Sequence, residues 1–187
     1  MVIMNQPIIN RVWAMPNKWT FRILPIKKLL DRYVGDGKGW IDPFAGESSP
    51  AEITNDICPN RKATSHIDAL EFLISFSDNF SKGIFFDPPY SITQAKQCYD
   101  SFGCKELDIK VSSMKYWAEI KNNMARILEP NGIAICCGWS SMGLGINRGF
   151  EMIEVLLVPH GGSKNDTIVT VERKINRSLD AYERVSK

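Results

Sequence analysis

Asp87, Pro88, Pro89 and Tyr90 stand directly behind the apolar run Gly83-Ile84-Phe85-Phe86. Each proline fixes φ and removes a ladder donor, so a strand written GIFF has to stop at Asp87. A carboxylate and a tyrosine ring are thereby held on a stiff turn at the carboxyl end of a strand, which is where open α/β sheets bind their ligands. The position suits chemistry better than packing.

The stretch WIDPFAGESSP, residues 40–50, repeats that design, with Asp42 ending a strand and Pro43, Phe44 and Gly46 following. In a parallel sheet this turn lies beside a bound cofactor, and Gly46 lets the backbone approach a ligand that a Cβ would keep away. Neither GxGxxG nor GK[ST] is present, which argues against NAD and ATP and for a cofactor without phosphates. Asn55 and Asp56 end the next predicted strand, where an acid can hydrogen-bond ribose hydroxyls. Asp68, followed by Ala69, ends the third and can reach an adenine amino group. Three adjacent strand ends thus offer polar groups to one nucleoside.

The elements that must position these turns read as an α/β sheet. Strands are predicted over 38–42, 52–57, 64–68, 83–87, 132–139, 150–159 and 166–174. Pro25 opens a helix that Gly35 closes, a second runs over 69–76, and Ser112 or Ser113 caps a third that extends to Pro130. Only HGGSKN separates the last two strands, too short for a crossover helix, so they pair as an antiparallel hairpin. With 187 residues and 44% apolar composition, the chain is expected to bury one core, as a single domain over 1–187 with a tail at 175–187. A net charge of +2 excludes non-specific coating of nucleic acid, so any such contact is local. Cys58, Cys98, Cys104, Cys136 and Cys137 have no metal-type spacing, and no metal is expected. The opening MVIMNQPIIN is neither a secretory core nor a membrane span, and a cytoplasmic protein is expected.

DPFAG followed by DPPY resembles the S-adenosylmethionine-dependent DNA methyltransferases that modify exocyclic amino groups, in particular small bacterial and phage-encoded adenine-N6 enzymes. WTFRILPIKKLLDRY resembles the segment that helps bind the methionine end of the cofactor there, and PHGGSKNDTIVTVE resembles the terminal hairpin. The resemblance implies a Rossmann-like class I methyltransferase fold, S-adenosylmethionine as cofactor and DNA as partner. It carries Thr20, Phe21, Asp42, Pro43, Phe44, Gly46, Asn55, Asp56, Asp68, Ala69 and Asp87 over as cofactor-binding residues. Asp87, Pro88, Pro89 and Tyr90 become the catalytic turn.

An adenine amine shares its lone pair with the ring and its N–H protons are not acidic, so the resemblance implies that Asp87 does not act as a simple base. Asp87 accepts one N–H and the Pro88 carbonyl the other, which localises the lone pair and stabilises the charge that grows as the methyl transfers. A base inside a duplex has to be flipped out, and Tyr90 offers the face on which it stacks, with a dispensable hydroxyl. Gln94, Lys96, Gln97, Tyr99 and Lys105 lie in a polar stretch, 91–110, expected to face DNA, where Gln reads adenine edges and Lys neutralises phosphates. Asn10, Arg11, Asn17, Lys18 and a second subunit are further candidates for sequence reading, and His160 for a place near the flipped base. Phe21 suits the core as well as the cofactor, and the five tryptophans are expected to be mostly core. RNA guanine-N2 methylation and a catalytically silent methyltransferase-like subunit are the competing readings, the first because DPP[YF] turns occur there too.

Overall fold

Alternation along the central strands divides the core in two. The structure, a computed structural model, describes residues 6–91, 93–94, 112–162 and 164–175. Its strands are β1 (Ile8–Arg11), β2 (Trp40–Asp42), β3 (Ile53–Thr54), β4 (Ser81–Phe86), β5 (Leu128–Gly138), β6 (Phe150–Val158) and β7 (Thr167–Lys174). They form one sheet in the order β1-β6-β7-β5-β4-β2-β3. The longest described helices are α1 (Leu24–Tyr33), α2 (Ala69–Ile74) and α3 (Met114–Ile127). Ile84, Phe86, Ala134 and Cys136 pack with Phe72, Leu73, Ile120, Met124 and Ile127 of α2 and α3. Phe85, Ile135 and Cys137, one residue out of step, pack with Ile26, Leu29 and Leu30 of α1 and with Val169 and Val171 of β7. A single-residue slip of β4 would exchange these two sets, so the register leading into Asp87 is strongly specified.

β7 lies between β5 and β6 and is antiparallel to both, with Val158 opposite Thr167 at the closed end of the hairpin. The other pairings, β1 with β6, β2 with β3 and with β4, and β4 with β5, are parallel. The expected hairpin is therefore present, and β2 and β4 lie side by side with their carboxyl ends on one edge. That adjacency brings the two Asp-Pro turns together.

Two strand assignments change. Residues 64–68 make only an isolated bridge, Asn55 to Ser65, and do not form a strand. The seventh strand is instead β1, whose four residues are all exposed. It has no hydrophobic alternation to announce it and exists because the outer edge of β6 offers free ladder groups. The third helix stops at Ile127, before Pro130, which falls within β5. Ser113 occupies the N-cap position of α3 without a side-chain bond. Among the tryptophans only Trp40 is core, at 4% exposure; Trp13 and Trp139 are exposed, and Trp19 and Trp117 are half-buried.

Candidate active site

β4 ends at Phe86, opposite Cys136 of β5, and delivers Asp87 to the mouth of the sheet. There the Tyr90 hydroxyl donates to Asp87 Oδ1 at 2.6 Å, and Thr20 Oγ1 lies 3.4 Å from the same hydroxyl. Burial pushes the Asp87 pKa up to about 6, against the opposing pull of the Tyr90 and Thr20 hydroxyls. Burial and the Asp87 charge push the Tyr90 phenol far upward, so it remains a donor. The Tyr90 ring meets Trp139 edge-on, with centroids 5.9 Å apart and planes at 69°. The hydroxyl, expected to be dispensable, thus occupies one oxygen of the Asp87 carboxylate. No sequence rule for a DPPY turn announces that bond, because it depends on how the tyrosine folds back.

Asp42 ends β2 fully buried, with Oδ1 accepting from Phe44 N at 2.9 Å and Oδ2 without a hydrogen-bond partner. Desolvation pushes its pKa up to about 7, against the opposing pull of the Phe44 N–H on Oδ1. It lies behind the turn and does not line the cavity, so its part is to shape the backbone of Pro43, Phe44 and Gly46, which do line it. Gly46 has φ +55° and donates its N–H to Asp56 Oδ2 at 2.9 Å, while Asp56 Oδ1 accepts from Cys58 N at 2.9 Å. A Cβ at Gly46 would come within 3.0 Å of the Trp19 ring. The close approach that requires glycine is thus made by a side chain of this protein. Arg61 and Lys18 lie over the same ring at 4.9 and 5.0 Å, and Arg61 also pairs with Glu47 at 3.0 Å. Sequence reading expected the tryptophans to be mostly core; Trp19 instead lines the cavity together with the two cations that lie over its ring.

Asp56, Asp68, Ala69, Thr20, Phe21 and Asn55 also line this cavity, which has a volume of about 530 Å³, within the ordinary range for a small-molecule site. Their capacities differ. Asn55 has spent its amide: Nδ2 donates to the Pro43 and Ile67 carbonyls, and Oδ1 accepts from Ser65 Oγ and Ile67 N. It is a tie between turns and has nothing left for a ligand. Asp68 Oδ1 caps α2 through Leu70 N and Glu71 N, and its Oδ2 accepts from the Tyr116 hydroxyl at 2.9 Å. Asp56 accepts one N–H per oxygen and retains a lone pair on each for hydroxyl groups. Phe21 serves both expected roles, packing on Phe85 at 5.0 Å and lining the cavity.

His160 lines the wall but has both ring nitrogens engaged, Nδ1 with the Ala14 carbonyl at 2.8 Å and Nε2 with Thr167 Oγ1 at 2.9 Å. It fastens the hairpin to the N-terminal segment, and neither ring nitrogen is free to hydrogen-bond a base. Asn10 is similarly engaged with Glu154, whereas Asn17 and Lys18 line the cavity. Gln94 turns back so that its Oε1 accepts from Tyr90 N at 3.0 Å. Lys96, Gln97, Tyr99 and Lys105 lie outside the described residues.

No family model matches the chain, and no curated protein matches it. Among solved structures it is similar to 1,6-didemethyltoxoflavin-N1-methyltransferase of Burkholderia thailandensis, solved with 1,6-didemethyltoxoflavin and S-adenosylhomocysteine. That likeness has TM-score 0.56 and 11% identity over 81% of this chain and 77% of the other. TrmN of Thermus thermophilus is similar at TM-score 0.53 and 15% identity, covering 84% of this chain and 52% of TrmN. The N-methyltransferase NodS of Bradyrhizobium japonicum is similar at TM-score 0.50 and 13% identity, covering 80% and 94%. Together with the strand order and the terminal hairpin, these likenesses show that the chain has the Rossmann-like fold of class I S-adenosylmethionine-dependent methyltransferases.

Proposed function

We propose that this protein transfers a methyl group from S-adenosylmethionine to the N6 amine of an adenine flipped out of DNA. The observation that carries the reading is the placement of Asp87 at the end of β4, beside the Pro43–Gly46 turn at the end of β2, in one cavity. The donor set fits the cofactor. Asp56 offers free acceptor lone pairs to ribose hydroxyls, Ile57, Ile67 and Ala69 offer apolar surface suited to an adenine ring, and Thr20, Phe21 and Asn17 line the same cavity. When bound, S-adenosylmethionine supplies an electrophilic methyl group on its sulfonium.

Everything else falls to this chain. Above pH 6 Asp87 is a carboxylate that accepts an N–H from the amine. Its acceptance, with that of the Pro88 carbonyl, turns the nitrogen lone pair out of the ring and towards the methyl group. For Oδ1 to take the amine, the Tyr90 hydroxyl has to yield it or share it. Pro88 and Pro89 keep the turn stiff, so that alignment needs little reorganisation. An adenine target is favoured by Asp87 itself, since cytosine-N4 enzymes usually carry Ser before Pro-Pro.

The test is digestion of DNA incubated with the protein and labelled cofactor, followed by mass identification of the modified nucleoside. N6-methyladenine is expected. N4-methylcytosine, methylguanine in added RNA, or no modified nucleoside would replace this reading by a different one.

A further inference from the structure

Behind the Pro88-Pro89-Tyr90 turn lies a second cavity of about 460 Å³, walled by Phe86, Trp117, Lys121, Trp139, Ser140 and Met142. It shares Pro88, Pro89, Tyr90 and Trp139 with the first cavity, so the two open on either side of one turn. Lys121, on α3, is the one charged residue among its described lining.

The surroundings of that ammonium are unusual for a lysine that only ties two elements together. Lys121 is half-buried; its Nζ donates to the Gly143 carbonyl at 2.7 Å and lies 5.3 Å from the Phe86 ring centroid. No carboxylate pairs with it among the described residues. Glu172, which attracts it from a distance, has its oxygens committed to Leu144 N and Gly145 N. An ammonium has three N–H donors, and one is used. A partly desolvated cation without a counter-ion is costly to keep, and an anion entering from solvent offsets that cost. Beside it, the exposed Trp139 offers flat apolar surface of the kind on which sugars and bases of a nucleotide chain rest.

We propose that the second cavity is an anion subsite that takes a phosphate of the nucleotide chain adjoining the target, with Lys121 donating to the phosphate oxygens. The proposal rests on the nucleic-acid reading above, and it assigns the backbone of the substrate to one side of the turn and the reacting amine to the other. No bond forms or breaks in this subsite.

The test uses 2′-deoxyadenosine 3′,5′-bisphosphate and deoxyadenosine, titrated by calorimetry into the whole protein with its cofactor cavity saturated by S-adenosylhomocysteine. A hydrogen bond to a charged group corresponds to about tenfold or more in affinity, so the wild type is expected to favour the bisphosphate by at least about that factor. Lys121→Gln should remove the advantage while leaving deoxyadenosine binding unchanged, and Lys121→Arg should keep most of it. If Lys121→Gln does not fold, Lys121→Met keeps the packing of the stem and serves in its place. Equal affinity of the wild type for the two probes would overturn the proposal, as would an advantage that survives loss of the ammonium. Loss of binding of both probes alike would assign Lys121 to holding the 139–143 loop, and would overturn it too. A Lys121-dependent advantage in a protein that methylates no DNA would leave the subsite standing and remove the DNA reading. DNA methylation without any advantage would do the reverse.

Discussion

Replacing Tyr90 by Phe removes one atom from the centre of the site, and its consequence follows from the 2.6 Å bond between the hydroxyl and Asp87 Oδ1. That bond stabilises the ionised carboxylate and opposes the burial that pushes its pKa up to about 6. A hydrogen bond to a charged group contributes roughly 1.5 to 3 kcal/mol, equivalent to about one to two pKa units. The Asp87 pKa in Tyr90→Phe is therefore expected to rise to about 7 to 8. Wild-type protein is mostly carboxylate at pH 7, whereas the variant should be half or more protonated there, and its activity should rise with pH through that higher range. The direct measurement is carboxyl-carbon NMR of aspartate-labelled protein titrated from pH 4 to 9, with Asp87→Asn to assign the resonance. Initial methyl-transfer rates over the same range give the second readout. An Asp87 resonance that titrates at the same pH in wild type and Tyr90→Phe would refute the argument, because the bond would then not be present in solution.

Asp87→Ala should abolish methyl transfer and leave S-adenosylhomocysteine binding within a few-fold of wild type, with Asp87→Asn retaining more activity through its amide oxygen; wild-type turnover in the alanine variant would exclude Asp87 from catalysis. Gly46→Leu combines a left-handed φ of +55° with a Cβ pressed on Trp19, and is expected to weaken cofactor binding in calorimetry and to destabilise the turn by about 1 to 2 kcal/mol. Trp19→Ala removes the ring over which Arg61 and Lys18 lie and should weaken cofactor binding, while Trp19→Phe keeps most of it; equal affinity in all three proteins would return Trp19 to a purely structural role. Asp42 has a folded-state pKa of about 7, above its ordinary 3.8, so the fold holds its proton more tightly than the unfolded chain does. Its contribution to stability is present at low pH and is lost as pH rises through about 7. Asp42→Asn should therefore flatten the dependence of Tm on pH between 5 and 8, and an unchanged profile would count against a buried, titrating Asp42.

The strands that carry the two Asp-Pro turns were legible because their information is local. A run such as Gly83–Phe86 bounded by prolines has few alternatives, and the six residues HGGSKN between the last two expected strands, eight between β6 and β7 as they form, leave no room for a crossover. Pro25 and the spacing of Ile26, Leu29 and Leu30 announce α1 in the same way. β1 was not legible, since its four exposed residues become a strand only when the edge of β6 is there to receive them. Residues 64–68 read as a strand and are not one, because the Asn55 side chain takes the N–H and the carbonyl of Ile67 that a ladder would need. At the site, residue types alone placed Asp87, Asp56 and Gly46 in one cavity. How much of each side chain remains available was decided by tertiary contacts. Asn55 and His160 have their polar atoms satisfied by partners 7 to 146 positions away, Asp68 caps a helix with one oxygen and takes the Tyr116 hydroxyl on the other, and Tyr90 is turned inward onto Asp87. Trp19 and Lys121 acquire their places from groups brought up by other elements, Gly46 and Arg61 for one and Gly143 and Phe86 for the other. A chain specifies which polar groups it owns, but only packing determines which of them are already spent on holding the fold and which still face a ligand.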